Sequence, residues 1–102
     1  PLRRQRQMCI RDRIESLSRG LALELASSNV RVNTVSPGLI ATPLWDTLES
    51  SARQSMYEKA ASTLPARTMG LPEHVADAIL YVAGNPYATG STVLIDGGGA
   101  IA

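Results

Sequence analysis

The sequence predicts an α/β protein built around one end of a parallel sheet, and three observations carry that prediction. An amphipathic helical stripe over residues 14–26 runs into a β-branched stretch, VRVNTV, that stops at Pro37-Gly38. A second helical stripe over 72–84 runs into a second short β-branched stretch, TVLI at 92–95. Strands separated by a helix point to a parallel crossover rather than a hairpin. Two strands alone do not make a stable parallel sheet, which needs neighbours at its edges and cover on both faces. The predicted fold is therefore incomplete, the end of a sheet whose middle lies elsewhere.

Each element has a local reason. Ile14, Leu17, Leu21 and Leu25 recur at spacings of three, four and four, which is one stripe of a helix. Glu15 and Arg19 make an i,i+4 pair on its wetter side. Ser27-Ser28-Asn29 ends the helix, because Asn tolerates the left-handed cap conformation. The strand is expected over Val30–Val35, with Pro37 stopping it because proline cannot donate to a ladder. Residues 42–61 read as a helical excursion with Leu44, Trp45, Leu48, Ala52 and Met56 on one side. Pro65 and the Met69-Gly70-Leu71-Pro72 turn end that section, which marks out a lid at residues 43–70. Pro72 suits the first position of the next helix and Glu73 its first turn. Val75, Ile79 and Val82 share a face, and Gly84 is placed to cap the end. Asn85–Gly90 is turn chemistry before the second strand, and Asp96-Gly97-Gly98-Gly99 reads as a close turn after it.

Composition narrows the class. A chain of 102 residues with 44% hydrophobic and 19% charged residues suits one globular domain. No apolar run approaches the ~20 residues of a membrane span, and the first residues lack the apolar core of a secretory signal. The lone Cys9 cannot form an intrachain disulfide, in keeping with a cytoplasmic protein. The net charge of +1 hides an uneven spread: residues 1–13 hold five arginines against Asp12 alone, so the remainder is acidic. That basic arm has no aromatic residue for stacking on bases, and charge alone supports only salt-sensitive, non-specific binding, so no nucleic-acid partner is expected.

The end of the first strand is the candidate site. A strand that stops at Pro37-Gly38 and continues as Leu39-Ile40-Ala41-Thr42 offers backbone amides, carbonyls and one hydroxyl at its carboxyl end. In open parallel sheets ligands sit there. With IESLSRGLALELA, VRVNTVSPGLIATPL, EHVADAILYVAG and TGSTVLIDGG in this order and spacing, the chain from about Ile14 to Gly99 resembles the C-terminal portion of a short-chain dehydrogenase/reductase of the classical type. The resemblance implies a doubly wound parallel, Rossmann-like sheet that binds NAD or NADP. It implies hydride transfer between the nicotinamide and a small alcohol or carbonyl substrate. It further implies that Pro37 and Gly38 shape the loop beside the nicotinamide, that main-chain groups of Ile40 bond the carboxamide, and that the Thr42 hydroxyl contacts the carboxamide or a phosphate. An amide has donor and acceptor faces, so a strand-end backbone can hold it and fix which ring face meets the substrate.

The same resemblance raises a conflict over catalysis. The family places a Tyr and a Lys four residues apart on the first of these helices, where the Tyr is the general acid or base and the Lys lowers its pKa. Those positions fall on Gln7 and Arg11. A Gln amide cannot shuttle a proton at neutral pH, and an Arg fork differs in shape from an ammonium. No catalytic residue is therefore assigned, and the chain alone is expected to be inactive. Residues 1–13 are set apart as an arm foreign to the family pattern, and 14–102 as the C-terminal segment of an NAD(P)-binding domain. The alternative is a non-catalytic truncated relative that associates with full-length subunits. The family also implies a homo-oligomer, formed through the first and last helices and the last strand.

Other residues attract attention without earning a role. Tyr57 and Lys59 are two apart, about 200° on a helix, so they cannot face one site. No helix follows Gly97-Gly98-Gly99 to present its N-terminus to a phosphate. His74 has no partner visible in the sequence, Trp45 sits where a lid would pack, and no cluster has metal-ligand spacing.

Overall fold

A computed structural model describes the backbone of residues 2–102 and the side chains from Cys9 onward. Its elements are α1 (Leu2–Leu25), a 3₁₀ turn (Ala26–Ser28), β1 (Thr34–Pro37), a second 3₁₀ turn (Pro43–Thr47), α2 (Ser50–Thr63), α3 (Pro72–Gly84) and β2 (Thr92–Ile95). The two strands pair as a two-stranded sheet. Thr34 N–H reaches Ser91 O at 2.9 Å and Gly38 N–H reaches Ile95 O at 2.9 Å, so the register rises along both strands together and the sheet is parallel. The α/β class follows the sequence prediction. By contacts the chain divides into two compact units, one running to Thr34 and including Tyr81–Val93, the other combining Val35–Leu80 with Leu94–Ala102.

In the first unit α1 passes residue 13 without a break. Asn29 ends the helical run in the left-handed conformation, φ 58°, and its N–H donates to Ala26 O at 3.0 Å. The expected Glu15–Arg19 pair does not form. The Arg19 guanidinium reaches back three residues to Ser16 Oγ at 3.1 Å instead.

The strand starts later than the β-branched run suggested, at Thr34 rather than Val30. The partners of residues 30–33 explain the delay. Val32 O accepts from Gly90 N–H at 2.7 Å and Val32 N–H donates to Thr89 Oγ1 at 3.2 Å. Asn33 donates its side-chain amide to Ala88 O at 2.8 Å and accepts from Ser91 N–H at 3.2 Å. The segment around Ala88–Ser91, and not a strand ladder, satisfies these residues.

Gly84 is helical and lacks the positive φ of a left-handed cap, which corrects the sequence expectation. The carbonyls at that helix end are satisfied from elsewhere. The Arg31 guanidinium donates to Val82 O at 2.7 Å, Ala83 O at 2.7 Å and Ala88 O at 3.0 Å. A cation on the last carbonyls of a helix meets both their hydrogen-bond need and the negative end of the dipole.

In the second unit the expected helical excursion over 42–61 is two pieces. Pro43 opens a 3₁₀ turn, Leu48 is extended, and α2 begins only at Ser50. The Thr47 hydroxyl returns to Leu44 O at 3.3 Å, a local bond that competes with helix continuation. Arg53 then ties α2 back to the turn through Asp46 at 3.0 Å. Asp96 organises the turn after β2: Gly98 N–H donates to Oδ1 at 3.0 Å and Ala100 N–H to Oδ2 at 2.8 Å. The close turn read from the sequence is therefore built by a carboxylate whose two oxygens both accept backbone bonds.

Among the described residues the buried apolar side chains are small: Ala22, Ala60, Ala78 and Val82. Large apolar residues remain exposed, Leu23 at 82% and Leu80 at 70% among them. No described helix is long and apolar enough to cross a membrane, and no described His, Cys, Asp or Glu residues group as a metal site.

Candidate functional site

The bend after β1 is shaped by a close approach. A Cβ on Gly38 would lie 2.7 Å from Asp96 Cβ and 2.8 Å from Asp96 Cα, so any other residue would force the two strand ends apart. Gly70 plays a similar part where the 43–70 segment returns, since a Cβ there would stand 2.8 Å from Leu39 O. That absence lets Gly70 pair with Ile40 in an isolated parallel bridge, and Ala41 N–H donates to Gly70 O at 2.8 Å.

Beside this bend lies a cavity of about 470 Å³. Pro37, Gly38, Ile40 and Thr42, the four positions singled out in the sequence, all line it. Trp45 and Leu44 come from the following 3₁₀ turn, and Val75 and Ile79 from α3. The volume lies in the range of small-molecule sites, and the walls are apolar apart from backbone groups and the Thr42 hydroxyl. No charged side chain among the described residues lines it. Such a cavity suits an uncharged group better than a phosphate or carboxylate, which would need a cation or a helix N-terminus.

The polar groups at its edge divide into committed and free. The Ile40 carbonyl accepts the Trp45 indole N–H at 2.9 Å. Thr42 starts the 3₁₀ turn through its carbonyl, which accepts Trp45 N–H at 3.1 Å, and its hydroxyl makes no cap bond. Among the described residues, no acceptor in the chain takes the amides of Ile40 and Thr42. Ile40 and Thr42 therefore bring to this cavity two amides without an acceptor among the described residues, a carbonyl with one donor, and a hydroxyl.

A second cavity, about 240 Å³, has Thr68, His74 and Asp96 on its walls. Its polar groups are largely occupied in holding turns. Asp96 accepts the two amides described above, and His74 Nδ1 accepts Leu71 N–H at 3.0 Å. His74 thus has the partner the sequence did not reveal: three residues into α3, it closes the helix start as a Glu does in a capping box.

Tyr57 is half-buried and Lys59 exposed on α2, and neither lines either of these two cavities. Arg11 is exposed on α1, and the Gln7 side chain lies outside the described residues. The sequence reading missed the contribution of Gly70 and the bond made by Trp45. The Met69-Gly70-Leu71-Pro72 turn signalled a chain reversal but gave no sign of what it would approach.

Residues 8–99 match the family described as enoyl-(acyl carrier protein) reductase. The chain is 42% identical over 85 residues to carbonyl reductase family member 4 of Danio rerio, covering 83% of this chain and 33% of that protein. It is 46% identical over 79 residues to the 3-oxoacyl-[acyl-carrier-protein] reductase FabG of Thermotoga maritima, covering 76% and 30%. A small-chain dehydrogenase crystallised in complex with NADPH superposes with a TM-score of 0.80 at 36% identity, over 87% of this chain and 40% of that one. The chain spans about a third of the length of the curated relatives it matches.

Proposed function

Because this chain belongs to the short-chain dehydrogenase/reductase family, we propose that it forms the nicotinamide-side wall of an NAD(P)-dependent oxidoreductase acting on an alcohol or carbonyl. The carrying observation is the rim of the larger cavity. Its donor amide at Ile40, its carbonyl with a remaining lone pair and the Thr42 hydroxyl complement a carboxamide on an otherwise apolar wall. When bound, NAD(P) carries the hydride that the reaction exchanges. The part of this chain is to bind and orient: Pro37 and Gly38 hold the bend, Ile40 and Thr42 grip the amide, and the 43–70 segment acts as a lid that excludes water.

The proton-transfer groups are proposed to lie outside the chain. Gln7 and Arg11 stand at the family's Tyr and Lys positions, and Gln has no proton to exchange at neutral pH. Residues 1–13 are proposed as an arm outside the family pattern, although the family match begins at residue 8. We propose further that the chain is the C-terminal segment of a complete cytoplasmic, oligomeric enzyme. The exposed Leu23 and Leu80 support this, because apolar surface of that kind marks contact sites.

Two assays test the reading. The purified 102-residue chain is expected to give no NAD(P)H-dependent turnover with any alcohol or carbonyl, and clear turnover would refute the assignment of chemistry elsewhere. The complete protein is expected to bind NADH or NADPH with energy transfer from Trp45 to the reduced nicotinamide, a signal lost in Trp45→Phe. Binding without that difference would separate the loop from the ligand.

A further inference from the structure

We propose that the peptide unit joining Ile40 to Ala41 anchors both ends of the 43–70 segment, and that Trp45 is a positioning residue holding this peptide for the ligand. The inference rests on the function proposed above. Its basis is a pair of hydrogen bonds on opposite edges of one plane. The Ile40 carbonyl accepts the Trp45 indole N–H at 2.9 Å. The Ala41 N–H of the same peptide unit donates to Gly70 O at 2.8 Å. Trp45 stands in the first turn of the segment and Gly70 at its last residue, so both ends of the excursion reach the same peptide group.

A trans peptide is planar, and its C=O and N–H cannot turn independently. Rotating this unit costs both bonds at once, so the position of the lid and the orientation of the binding loop are one equilibrium. The indole occupies one lone pair of the Ile40 carbonyl, and the other is available to a ligand. Trp45 also lines the cavity, so the side chain that fixes the peptide is itself part of the wall. A residue of the same bulk without the N–H would keep the wall and lose the fixation.

The test separates these two properties in the complete protein. Trp45 is replaced by Phe and, in a second variant, by 3-benzothienylalanine, which keeps the indole outline with sulfur in place of N–H. The second variant covers the case in which the smaller ring prevents folding. Amide hydrogen exchange is read at Ala41 and along β2, and KM for the dinucleotide is read separately from kcat. Loss of one net hydrogen bond is expected to speed Ala41 exchange and raise the dinucleotide KM, each about fivefold. Exchange along β2 should stay near wild type. Unchanged exchange at Ala41 with unchanged KM would overturn the proposal, and so would equal acceleration at Ala41 and β2, which marks general loosening. Wild-type protein that binds no dinucleotide would remove the proposed function instead. The anchor would then stand on accelerated Ala41 exchange or fall on its absence.

Discussion

Gly38→Ala puts a single methyl group where the strand ends meet. The added carbon would sit 2.7 Å from Asp96 Cβ and 2.8 Å from Asp96 Cα. Carbon atoms rest at ~3.5 Å or more, so the bend must retreat by about 0.8 Å. One of the two atoms in the way is backbone, and Asp96 is held by the amides of Gly98 and Ala100. The retreat cannot be absorbed by a rotamer change. It would stretch the Gly38 N–H to Ile95 O bond, now 2.9 Å. Overpacking of this kind costs ~1–3 kcal/mol, and the loss of a well-formed hydrogen bond carries it toward the upper end. The assay is denaturant unfolding of the complete protein, with Gly84→Ala as control. Nothing lies within 4 Å of a Cβ on Gly84 and its φ is not positive, so alanine there should stabilise by ~0.4–1 kcal/mol. The same chemical change is thus expected to have opposite signs at the two sites. A Gly38→Ala protein as stable as wild type would refute the argument that the close approach of Asp96 is what requires glycine.

Arg31→Lys should cost about 2 kcal/mol of stability, because an ammonium cannot reach Val82, Ala83 and Ala88 carbonyls together as the fork does; thermal unfolding measures it. Thr42→Val keeps the outline of the side chain and removes a hydroxyl that makes no cap bond, so stability should change by less than ~0.5 kcal/mol while dinucleotide binding weakens about fivefold by titration. His74→Glu supplies the usual capping-box acceptor with a negative charge in the first turn of α3, and should raise stability by ~0.5 kcal/mol in denaturant unfolding.

The elements with strong periodicity were legible in the sequence. The start of α3 and both bounds of β2 coincide with the expected ones, because Pro72 presets the helix start and four β-branched or aliphatic residues run between turn signals. The four site positions on the bend also came together on one cavity, since a strand end is a local feature. What stayed hidden depends on contacts between distant parts of the chain. Arg31 looked like a strand residue, yet its partners lie more than fifty positions away, and its guanidinium satisfies the helix-end carbonyls that a Gly84 cap was expected to serve. Trp45 looked like packing because its N–H partner is a backbone carbonyl, which carries no signature in the side-chain pattern. His74 lacked a partner for the same reason: it bonds an amide.

The most direct measurement is a crystal structure of the complete protein with NADPH or NADH bound. Hydrogen bonds from the carboxamide to Ile40 main-chain groups or to the Thr42 hydroxyl, with the ring against Pro37-Gly38, are the predicted result. A dinucleotide whose nicotinamide lies away from this bend, with side chains filling the space between Thr42 and Ile79, would contradict the account.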